Sequence, residues 1–65
     1  MNRIEYLNLR LRIVAKWKNK FKERNITEVA RLAGVSRVTI YNALNGKFLP
    51  SLKTINKIEA VLQND

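Results

Sequence analysis

The stretch from Ile26 to Gly46, ITEVARLAGVSRVTIYNALNG, constrains this chain more than any other. It reads as a short helix, a glycine turn and a second helix. Asn25 can cap the first helix, and Glu28 is spaced to complete a capping box. Ile26, Val29, Ala30 and Ala33 then share one helical face. Ala30 is small where a second helix must cross closely, and Gly34 can take the left-handed conformation that ends a helix. Val35 plugs the turn, and Ser36 is a good cap for the second helix.

The second helix is expected from about Arg37 to Asn45. At about 100° per residue, Arg37, Tyr41, Asn45, Val38 and Asn42 fall on one arc. Leu44, Ile40 and Ala43 fall on another, with Thr39 at the edge. The outer arc is short, mixed and rich in donors, and carries neither Glu nor Lys. Amides and guanidinium groups on such a face suit the major groove of DNA, where they read base edges.

The segment resembles the helix-turn-helix of the phage-repressor and Cro-like family, and also that of the lac-repressor headpiece. Downstream, PSLKTINKIEAVL is similar to the helix that follows the recognition helix in the phage-repressor-like group, which favours that reading. The resemblance covers roughly residues 25–62. It implies an all-α fold, a small four-helix domain of lambda-repressor-like helix-turn-helix type, lacking the fifth helix that many such domains carry. It also implies roles. Arg37, Val38 and Asn42 would face bases: Arg37 suits guanine O6 and N7, Asn42 adenine N6 and N7, and Val38 a thymine methyl; the alternatives are a phosphate contact for Arg37 and ordinary surface exposure for Val38. Tyr41 is a further candidate for base contact; the alternative packs its ring on Arg37 or the first helix, with the hydroxyl on a phosphate. Ser36 and Asn45 match positions that hold the DNA backbone, although both also serve as caps, as does Asn25. Thr39 at the rim and Lys47 beyond Gly46 can reach phosphates. Ile26 stands where the phage-repressor-like group often has glutamine, so one backbone contact of that group is expected to be absent.

A chain of 65 residues is one small domain, and at this size only about 60% of the unfolded surface is buried on folding. Its 13 Lys plus Arg against 5 Asp plus Glu leave +8, which points to a polyanionic partner, nucleic acid before acidic membrane. Cysteine and histidine are absent. That excludes disulfides, thiol chemistry, ordinary zinc sites and the usual general base near neutral pH. No acid–base pair can be assembled from the scattered carboxylates, so no enzyme, cofactor or metal is expected. The longest apolar run is too short to span a bilayer and no signal peptide is visible, so a cytoplasmic location is expected.

Residues 1–24 read as a long, basic, amphipathic first helix, with Ile4, Leu7, Leu11, Val14, Trp17 and Phe21 recurring every three or four positions. The strict alternation of LNLRLRI leaves a strand open for residues 6–13. A second apolar row, Tyr6, Leu9 and Ile13, lies beside the first, more than one small domain needs. That row is therefore expected at an interface with a second copy, replacing the missing fifth helix. Trp17 and Phe21 are offset from the family's positions, so the packing angle of the first helix does not carry over. The segment holds eight of the thirteen cations. Most of them read as a solvated helix face; the functional reading is that some near its end, Lys20 to Arg24, neutralise phosphates, adding affinity without sequence information.

Pro50 and Ser51 introduce a last helix over 51–63, its apolar face made by Leu52, Ile55, Ile58, Val61 and Leu62. The leading expectation is a DNA-binding transcriptional regulator, a repressor from a phage or mobile element, acting as a homodimer on a two-part operator. No second domain to sense a small molecule is expected, and so no small-molecule ligand. The alternatives are an antitoxin that binds its own promoter, with a toxin on the apolar rows, and an excisionase-like DNA-bending accessory. A cationic membrane-active segment over residues 4–24 would leave the helix-turn-helix pattern unexplained.

Overall fold

The computed structural model describes residues 2–64, and these contain helices and connections without strands. The elements are α1 (Arg3–Ala15), α2 (Trp17–Lys20), α3 (Ile26–Ala33), α4 (Arg37–Leu44) and α5 (Leu52–Gln63). α1 and the single turn of α2 form one interrupted first helix, so the small four-helix, all-α domain expected from the sequence is what forms. Residues 6–13 are helical, which removes the strand alternative.

The first helix is shorter than expected. It does not run unbroken to Arg24: it is interrupted at Lys16, whose N–H reaches back three residues to Ile13 O at 3.2 Å, and ends at Lys20. The interruption stands immediately before Trp17, the largest fully buried side chain. The indole packs edge-on against Phe21, ring centroids 6.0 Å apart.

Its apolar rows are also used differently. Tyr6, Leu9 and Ile13 are half-buried against the domain itself, while Ile4, Leu7 and Leu11 are exposed. The reason is the period. From Ile4 to Phe21 the row takes five steps averaging about 3.4 residues, less than the 3.6 of an α-helix, so it drifts about 20° per step. Trp17 and Phe21 point inward; the residues that share the Trp17 direction one, two and three turns earlier are Ile13, Arg10 and Tyr6. Tyr6, Leu9 and Ile13 are thus the inner row, a correction to their expected place between copies.

The core joins all the helical units through Trp17, Val29, Ala30, Ile40, Ala43, Ile55 and Ile58. Tertiary contacts also complete the helix ends. The Tyr6 hydroxyl accepts the Leu52 N–H at 3.2 Å, supplying a partner for a donor in the first turn of α5. The Arg10 guanidinium lies 4.7 Å from the centroid of the Tyr6 ring and donates to Pro50 O at 3.1 Å, tying α1 to the loop before α5. At the opposite end of α5, Arg24 donates to Leu62 O at 3.3 Å and Val61 O at 3.5 Å.

Candidate nucleic-acid interface

Short helices hold a defined crossing only if their ends are fixed, and here each end is. The Asn25 side chain accepts the Glu28 N–H at 3.1 Å and so starts α3. The reciprocal half of the expected capping box does not form, because the Glu28 carboxylate is taken by Arg31, with Nη2 at 2.6 Å and Nε at 3.2 Å. That pairing, through the hydrogen bond first and the charge second, holds the Glu28 carboxyl below its ordinary pKa and the Arg31 guanidinium above its own. α3 closes at Gly34, φ 71°, with Val35 N–H bonded to Ala30 O at 3.0 Å. The Ser36 hydroxyl then accepts the Val38 N–H at 3.2 Å, starting α4 within two residues of that closure.

α4 ends by the same device. Gly46 takes φ 72°, its N–H reaches Ala43 O at 3.2 Å, and the Lys47 N–H reaches Asn42 O at 2.9 Å. One side of α4 is sealed, Ile40 fully buried and Ala43 nearly so. The opposite side exposes Arg37, Val38 and Tyr41, Val38 by 56% and Tyr41 by 46%. Asn42 and Thr39 stand at its borders, and Asn45 and Lys47 are exposed at its far end. Among the described residues, no hydrogen bond within the chain occupies the side chains of Arg37, Tyr41, Asn42, Asn45 or Lys47, so their donors are available to a ligand. Asn25 and Ser36 use only an oxygen lone pair in capping, which leaves the amide NH₂ and the hydroxyl proton to donate.

Charge is distributed to match. Between Glu28 and Glu59 the sequence contains Arg31, Arg37, Lys47, Lys53 and Lys57 and no acidic residue. Lys20, expected on a phosphate, is placed otherwise. Its ammonium sits 3.1 Å from Glu59 Oε2, and Glu59 Oε1 accepts the Trp17 indole N–H at 2.8 Å. Its charge is therefore balanced inside the fold by Glu59. Burial pushes the Glu59 carboxyl up, but the hydrogen bonds from Trp17 and Lys20, the Lys20 charge and Gln63 outweigh it and leave the pKa lowered.

Phe48 stands outside the residues expected at this surface. It is 58% exposed, directly after Lys47, and its N–H is bonded to Asn42 O at 3.3 Å, which fixes it at the end of α4. An aromatic residue directly after Lys47, in the connection that leaves α4, is the signal that could have found it.

A helix-turn-helix family model matches residues 18–65. The chain belongs to the phage-repressor-like helix-turn-helix family. A relative from Bacillus phage phi105, the "ImmF control region 10 kDa protein", is 38% identical over 50 residues, covering 74% of this chain. The chain spans just over half of that relative, 56% of its length. No solved structure matches. The family's helix-turn-helix motif corresponds to α3 and α4, and the match takes in α3, α4 and α5 and all of α2 but Trp17. No helix among the described residues is long and apolar enough to cross a membrane.

Proposed function

We propose that the protein is a sequence-specific transcriptional repressor of a phage or mobile element, two copies of which occupy a two-part operator with α4 in the major groove. The observation that carries this reading is the exposed side of α4. It offers a guanidinium, two amides and a phenol, none used among the described residues, with no carboxylate on the helix to repel phosphate. Arg37 and Asn42 have the chemistry to pair with guanine and adenine edges, and Val38 to meet a thymine methyl. Asn25, Ser36, Asn45 and Lys47 surround them with donors suited to phosphates, which fix register without reading sequence. The similarity to a phage control-region protein supports a regulatory role. Occupying a promoter and excluding polymerase is the simplest action for such a surface.

Selection from a random duplex pool, sequenced after binding at about 150 mM salt, tests this. An enriched inverted repeat with half-sites about 34 Å apart is expected. Binding that enriches nothing and disappears as salt rises would refute it.

A further inference from the structure

α1 lies ahead of the segment matched by the family model, so the family does not assign it a role. Only one side of it is used within the chain. The inner side carries Tyr6, Arg10 and Ile13, which hold the first turn of α5, the preceding loop and the core. The outer side carries Ile4, Leu7 and Leu11, exposed by 70, 42 and 49%, with exposed Asn8 and Ala15 continuing the strip. Beside this strip, on one flank, stand Glu5 and Arg12, about 100° and 80° round the helix from Ile4. Both are exposed, and the only side-chain bond to the Glu5 carboxylate among the described residues comes from Asn2 at 3.2 Å.

We propose that this outer face of α1 binds the same face of a second copy, the two helices running antiparallel across a twofold axis near Asn8. The proposal rests on the two-copy operator reading and supplies its interface.

The charge pattern selects the occupant. A twofold axis perpendicular to both helices brings each flank against itself in reverse order. Glu5 of each copy then faces Arg12 of the other, while Ile4 lies against Leu11. Pairing residues 5 and 12 puts the axis between positions 8 and 9; pairing 4 and 11 puts it between 7 and 8. The two requirements agree within one residue, about 1.5 Å along the helix. A parallel twofold arrangement would carry the two Glu5–Arg12 flanks to opposite sides of the seam and leave Glu5 and Arg12 unpaired across it. A helix of 13 residues is about 20 Å long, so the contact is smaller than the roughly 1,200–2,000 Å² of stable complexes. Pairing is accordingly reversible in solution and reinforced when adjacent half-sites hold two copies together.

Sedimentation equilibrium of the full chain without DNA, over a range of concentrations, tests the interface separately from operator recognition. The expected result is a concentration-dependent monomer–dimer equilibrium. Leu7→Lys should weaken it at least tenfold with unchanged helical circular dichroism. Glu5→Arg and Arg12→Glu should each weaken it, and the double variant Glu5→Arg/Arg12→Glu should recover most of the loss. A chain that stays monomeric at every concentration overturns the proposal, as does a dimer indifferent to Leu7→Lys or a double variant no better than its parents. Loss of the inverted repeat in duplex selection, with this equilibrium intact, would instead remove the operator reading and leave the interface standing.

Discussion

Replacing Glu59 with Ala removes the one carboxylate that serves two partners from α2. The indole N–H of Trp17, in a residue with no exposed surface, would lose its acceptor at 2.8 Å. A buried donor left unsatisfied costs about 1–3 kcal/mol. The Lys20 ammonium also loses its partner, but its side chain is 36% exposed and can turn to water, so that part is worth a few tenths of a kcal/mol after screening. The loss is therefore about 2 kcal/mol, a large share of the roughly 3–5 kcal/mol that a core of this size supplies. For a domain this small, each kcal/mol moves the melting temperature about 4–8 °C, so a fall of about 8–16 °C is expected.

Glu59→Gln separates the contributions, because an amide oxygen can still accept from the indole while the charge is lost. That variant should fall by well under half as much. Thermal melts of the wild type and both variants, followed by circular dichroism at neutral pH, provide the comparison. If Glu59→Ala and Glu59→Gln melt together, the indole acceptor is not what holds α2 to α5, and the reasoning is refuted.

Further expectations concern pH, turns and recognition. Because the Glu59 pKa is lowered in the fold, its contribution is present above the unfolded value and is lost as pH falls through the folded one. The melting temperature should therefore drop on acidification below the ordinary carboxylate range, and Glu59→Gln should flatten that drop. Gly34→Ala should cost about 1–2 kcal/mol from its φ of 71° alone, since nothing lies within 4 Å of an added Cβ, and a denaturant midpoint would show it. Arg37→Ala and Asn42→Ala should each cost about 1–3 kcal/mol on the selected site and relax preference at one base pair. Equal weakening on every sequence would show that these side chains grip phosphate instead.

The sequence displays the motif almost completely, because its signals are local. Asn25, Gly34, Ser36 and Gly46 act on backbone groups within a few residues of themselves, and each does what its side chain, or lack of one, permits. The capping box fails halfway for an equally local reason: Arg31, one turn along, competes for the Glu28 carboxylate. The contacts that sequence does not display are long-range. Nothing near Lys20 in the chain announces Glu59, and nothing near Tyr6 announces the Leu52 N–H. The inward side of α1 is misread when the apolar spacing is treated as one straight stripe. Its steps fall short of a helical turn, and only the buried position of Trp17 fixes which end of the drifting row is inside.

This bears on how the net charge of +8 is to be understood. Arg10, Lys20 and Arg24 direct their charge at the loop before α5, at Glu59 and at the end of α5, so three of the eight N-terminal cations act within the fold. Arg31 is engaged with Glu28. On the proposed reading, phosphate neutralisation then falls to cations such as Lys47, which lies beside the motif and makes no ion pair within the described residues. The dependence of DNA affinity on salt counts such contacts, each adding about 0.9 to the logarithmic slope. Lys47→Ala should reduce the slope by about that amount and leave the melting temperature nearly unchanged. Lys20→Ala should do the reverse, lowering the melting temperature slightly at constant slope. If Lys20→Ala reduces the slope and Lys47→Ala does not, then the ammonium leaves Glu59 for the phosphate on binding, and the division between structural and DNA-binding cations fails.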